Sequence, residues 1–130
     1  MEKNKELSSC SITEILAEDP NDLMVKLQQE YSYYVPETIE TIDDLKKAGR
    51  MLGKLANTYS FLTQVSSYAK LEVRQLKRKK EAKDKIEDAI DRKTIIDTFA
   101  EVINLQYKAV SRLLTIKQQI NEELKMTDGR

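Results

Sequence analysis

A chain of 130 residues, 34% charged, with three Gly, two Pro and no His, reads as one soluble helical domain, long enough for a modest core and short enough to gain from self-association. No run reaches the roughly 20 apolar residues of a membrane span, and the polar start at Met1 lacks a signal-peptide apolar region, so a cytoplasmic protein is expected. The absence of His excludes Ser-His and Cys-His nucleophile pairs, His-based zinc sites and the Glu-x-x-His ligands of di-iron bundles. With no Gly-rich phosphate loop either, neither an enzyme nor a cofactor is expected. The net charge of zero hides an asymmetry: residues 1–44 carry net −8, residues 45–93 net +8, and residues 94–130 are balanced. An acidic start folded along a basic middle would neutralise both.

In chain order, residues 1–18 read as a flexible segment with one short helix, and residues 19–130 as the helical bundle domain. Residues 1–10 are expected to be disordered, and the single Cys10 has no internal disulfide partner. Ser11 and Glu14 have the spacing of a capping box, which predicts a helix to about Ala17. Asp19 suits an N-cap and Pro20 the first helical position. Leu23, Met24, Leu27, Tyr31 and Tyr34 then mark one face of a helix over 20–34, stopped before Pro36.

Thr41 or Asp43 is positioned to cap a long helix. Its seam runs through Leu45, Ala48, Leu52, Leu55, Tyr59, Leu62, Ser66, Ala69, Val73 and Leu76 at alternating steps of three and four. Gly49 and Gly53 flank the seam, where they suggest a close approach of another backbone. A second seam follows through Ile96, Phe99, Ile103, Gln106, Val110, Leu113, Lys117, Ile120 and Leu124. No Gly or Pro separates the two, which leaves a single very long helix or a hairpin. The frames differ by two residues modulo seven, a discontinuity that a continuous coiled coil does not absorb easily. Cations at 77–80 suit a helix C-terminus, and Asp84 with Glu87 suits a new N-terminus. A hairpin folded about Ala82 and Lys83 is therefore expected. It pairs Leu62 with Ile103, Leu55 with Val110, Ser66 with Phe99 and Tyr59 with Gln106.

The apolar surface exceeds what two helices consume. Ile95, Val102, Ala109 and Ile116 form a seven-residue stripe, and Phe61, Val65 and Tyr68 lie outside the first seam. The fold class is thus all-α, a long antiparallel hairpin with an additional N-terminal helix, either a three-helix bundle or a dimeric four-helix arrangement. Phe61, Val65, Tyr68, Ile95, Val102 and Ile116 are the candidate oligomer interface, and a homo-oligomer is expected. Arg74, Lys77, Arg78, Lys79, Lys80, Lys83 and Lys85 form a basic turn, a candidate site for a protein partner. With Tyr31, Tyr33 and Tyr34 as stacking faces it is also a candidate site for single-stranded nucleic acid. Glu81, Asp84, Asp88 and Asp91 form a carboxylate line. Neighbouring lysines make it a solvated, salt-bridged face rather than a metal site.

The segments Tyr59-Ser-Phe-Leu, Tyr68-Ala-Lys-Leu-Glu-Val-Arg74, Ala89-Ile-Asp-Arg-Lys93 and Gln106-Tyr-Lys-Ala-Val-Ser-Arg112 resemble those of small helical proteins encoded by bacteriophages and prophages, over residues 45–126. The resemblance implies one of two roles. One is an antagonist of a host or defence protein, for example of CRISPR type, and the other is a nucleic-acid-binding accessory of phage replication or recombination. It carries over no functional residue.

Overall fold

The computed structural model describes residues 6–128, with side chains described through Ile120; the expectations for residues 1–5 and for the Leu124 side chain lie outside these. After a 3-10 turn at Leu7–Ser9 come α1 (Ile12–Leu16), α2 (Pro20–Glu30), α3 (Ile42–Arg78) and α4 (Lys83–Asp128). Among the described residues there is no strand, and no helix is long and apolar enough to cross a membrane. The two long helices form an antiparallel hairpin. Glu18 meets Arg92 and Tyr33 meets Gln106, so the chain between them runs parallel to α4.

Local chemistry sets the helix starts. The Ser11 hydroxyl accepts from the Glu14 N–H at 3.2 Å, and Glu14 returns the bond to the Ser11 N–H at 3.3 Å. Asp19 caps α2 through the N–H groups of Asn21 and Asp22, with Pro20 opening the helix. At α3, Thr41 rather than Asp43 is the cap, in a reciprocal box with Asp44. Asp44 accepts from the backbone N–H of Glu40 and of Thr41, and these bonds hold its carboxyl below the ordinary range.

Two boundaries differ from expectation. Helix α2 ends at Glu30 instead of continuing to residue 34: Tyr31 leaves helical geometry with φ −123° and ψ 28°, and the Ser32 hydroxyl donates to the Gln28 carbonyl. The chain then crosses the hairpin as an extended strap. Helix α4 begins at Lys83, where the Lys85 and Ile86 N–H groups reach the Ala82 carbonyl, so Asp84 lies in the first turn and is not the cap.

The core is the pair of seams plus a cover. Ala48, Leu55, Leu62 and Ala69 of α3 and Ile96, Ile103 and Val110 of α4 are buried together with Leu7, Ile15, Leu23, Leu27 and Ile39. Each fully buried Leu or Ile contributes about 1.5–3 kcal/mol. Leu7 is 1% exposed and Ile15 2%, and the Leu7 N–H donates to both Glu30 carboxylate oxygens at 2.8 and 3.0 Å. Residues 6–17 are therefore part of the packed unit, a correction to the flexible segment expected over 1–18.

Across the hairpin Ser66 donates to Asp97 and Arg92 to Glu72, contacts within one or two residues of the expected pairing. Gln106 donates to the Tyr33 carbonyl at 3.2 Å instead of meeting Tyr59. The strap outcompetes the opposite helix for that amide because it brings an otherwise unpaired carbonyl. Gly49 and Gly53 face open space, with no neighbouring atom within 4 Å of where a Cβ would stand, so neither marks a close approach.

Candidate functional site

At the hairpin tip, α3 closes with the Glu81 N–H on the Leu76 carbonyl at 3.1 Å and the Lys80 N–H on the Lys77 carbonyl at 3.2 Å. This is the two-bond pattern of a helix closed by one left-handed residue. That residue is Lys80, at φ 54°, among the described residues the one non-glycine with positive φ. Glycine adopts this geometry freely, whereas a side chain raises its cost by about 1–2 kcal/mol.

All seven candidate cations of the tip are exposed. Lys85 pairs with Glu81 and Lys83 with Glu87, each at 3.8 Å and each along one helical edge, where such exposed pairs contribute well under about 1 kcal/mol. Among the described residues no carboxylate lies within ion-pair distance of Arg74, Lys77, Arg78, Lys79 or Lys80. The acidic N-terminal part does not neutralise them: it meets the basic middle at Arg92, whose guanidinium donates to the Glu18 carbonyl at 3.2 Å and to Glu72 at 3.2 Å. Glu18 itself pairs with Lys26, and that bond raises the Lys26 ammonium above its ordinary value.

Beside the tip, α1 and α3 enclose a groove of about 450 Å³ lined by Ile12, Leu16, Tyr68, Leu71 and Gln75 among others. Tyr68 and Leu71 are half exposed there.

The three tyrosines expected near the tip are elsewhere. The Tyr33 hydroxyl bonds the buried Thr58 hydroxyl at 2.9 Å, and Thr58 lies about 30 Å down α3 from the tip at 1.5 Å per residue. Tyr31 packs on Phe61 with ring centroids 6.3 Å apart, and burial pushes its hydroxyl up to about 12. Tyr34 is 81% exposed on the strap. The early end of α2 separates all three from the cations.

The candidate oligomer residues divide. Val65 is 2% exposed, inside the chain's own core; Phe61 is covered by Tyr31, and Ile95 packs partly against the core. Tyr68, Val102 and Ile116 remain exposed. Leu105, which the seven-residue stripe did not include, is at 58% the most exposed large apolar side chain among the described residues of α4. Between the strap at Val35 and the side chains of Leu105, Ala109 and Ile116 lies a groove of about 640 Å³.

Away from the tip, Asp97 is the carboxylate most closely tied to neighbours. Burial acts to raise the Asp97 carboxyl, but hydrogen bonds from Lys93 (2.6 Å) and Ser66 outweigh it and hold the group below its ordinary value. Among the described residues no group of three or more His, Cys, Asp or Glu is placed to hold a metal ion. Of the carboxylate line, Asp84, Asp88 and Asp91 are exposed on α4, and Glu81 in the preceding turn is partly buried and pairs with Lys85. Compared with protein-family models, curated proteins and solved structures, the chain finds no match.

Proposed function

We propose that the chain is a non-enzymatic helical interaction protein that acts in the cytoplasm by binding another protein through the basic tip and the adjoining α1–α3 groove. The observation that carries this reading is Lys80 in left-handed geometry. A glycine there would lower the cost of the turn, whereas lysine keeps the cationic surface continuous across it, and strain retained at such a point suggests a functional residue. Exposed Tyr68 and Leu71 beside exposed cations suit an acidic, amphipathic protein segment. The antagonist role implied by the resemblance to small phage proteins is a function of this kind. Single-stranded nucleic acid is the weaker reading, because Tyr31 and Tyr33 are anchored roughly 20–30 Å along α3 from the cations.

The test compares wild type, Leu71→Asp and a variant with Gln at 77–80, using immobilised protein in host lysate and labelled single-stranded DNA and RNA. A host protein that is captured after nuclease treatment, lost with Leu71→Asp and captured more slowly by the Gln variant supports the reading. Single-strand binding at low salt, with a salt slope that falls by roughly 0.7 per removed phosphate contact, would replace it.

A further inference from the structure

The groove between the strap and α4 is a second apolar surface, roughly 33–50 Å along α4 from the tip at 1.5 Å per residue. We infer that its occupant is a second copy of this chain, whose α4 lies antiparallel to the first across a two-fold axis passing between Leu105 and Gln106.

Spacing carries the first part of the argument. Ile95, Val102, Ala109 and Ile116 repeat every seven residues, a period that keeps one face turned toward a neighbouring helix at a shallow crossing angle. This stripe is symmetric about the point midway between Leu105 and Gln106. Reversal about that point sets Ile95 against the partner's Ile116 and Val102 against the partner's Ala109, large against small. Leu105 then lies at the axis, one residue along the helix from its own copy. Val102, Ile116 and Leu105 are 45%, 47% and 58% exposed in the single chain, so each has area to bury.

Charge carries the second part. Glu101, Lys108 and Arg112, all exposed, lie on one flank of the stripe, since they are seven and four residues apart. Antiparallel two-fold packing places like flanks together. In this register Glu101 falls between the partner's Lys108 and the partner's Arg112, and the symmetry makes the contact twice. A parallel arrangement would set unlike flanks together and take Glu101 away from both cations.

The experiment uses the full chain in a Cys10→Ser background. Sedimentation across a concentration series should show a dimer. Glu101→Lys should weaken it by at least about tenfold while leaving helicity intact, because like charges then meet at both sites. The charge swap Glu101→Lys, Lys108→Glu, Arg112→Glu should restore it. Leu105→Cys should form a disulfide-linked dimer under mild oxidation, and Lys77→Cys should not. A chain that stays monomeric at every concentration overturns the inference. So does a dimer that ignores Glu101→Lys and fails to link through position 105.

Discussion

The hairpin has two faces made from the same kind of sequence, and they meet different fates. On one, Val65, Ile103 and Val110 are buried in one cluster with Leu7, Ile15, Leu23, Leu27 and Ile39 from the N-terminal third. Polar contacts cross it as well: Tyr33 to Thr58, Gln106 to the Tyr33 carbonyl, Arg92 to Glu18 and Glu72, although the Gln106 Oε1 and Arg92 Nε atoms are buried without a hydrogen-bond partner. On the other, Val102, Leu105 and Ile116 stand half exposed. Periodicity alone does not separate the two, because it reports that a face is apolar and not what covers it. What distinguishes them is the short segment of 6–41, which is long enough to cover one side only.

Substitutions on the covered face should be costly and those on the bare face cheap. The largest effect is expected from Leu62→Asp, which puts an unpaired carboxylate where the side chain is 1% exposed. It should lose several kcal/mol in chemical denaturation and leave little folded protein. Leu7→Ala should lose about 2–4 kcal/mol, the cost of a core cavity, whereas a flexible N-terminal segment would lose nothing.

Smaller effects sharpen the contrast between core and tip. Lys80→Gly should stabilise by about 1 kcal/mol through relief of the left-handed side chain. Gly49→Ala and Gly53→Ala should each add up to about 1 kcal/mol, since a methyl meets no neighbour and helix propensity improves. Denaturant midpoints at unchanged slope check all three.

The pH dependence should be smallest of all and confined to the extremes, since no histidine titrates between them. Asp97 and Asp44 are depressed in the fold, so their contribution is present above the ordinary carboxyl value of 3.8 and is lost as pH falls through their folded values. Lys26 and Tyr31 are raised. Their contributions are complete below 10.5 and 10.0 respectively and fade as pH rises, that of Tyr31 through about 12. Thermal midpoints across pH should show a plateau that falls at both ends. Tyr31→Phe should remove part of the alkaline fall.

Much of this architecture was legible in the sequence because it is local. The caps at Ser11, Asp19 and Thr41 are read from three or four residues each, and the seams of α3 and α4 from their spacing. The bend was legible from the frame mismatch between Leu45 and Ile96, although Lys80 supplies no glycine signal for it. The strap of 31–41 was not legible: an extended run over a hairpin has no period, and its anchors, Tyr33 with Thr58 and Gln106, are distant in sequence. The same gap misplaced the tyrosines beside the tip and left Val65 on the surface. Of the candidate site, the cations were legible as a charge run, but their separation from the stacking residues depended on where α2 stopped.

The N-terminal segment is a packed cover for one face of the hairpin. The direct measurement is native-state hydrogen exchange at the Leu7 amide by NMR. Because that N–H donates to the Glu30 carboxylate beneath a buried side chain, it should exchange at least about tenfold more slowly than in an unstructured chain, and Glu30→Ala should abolish the protection. Exchange of Leu7 at the unstructured rate in the wild-type chain would contradict the account.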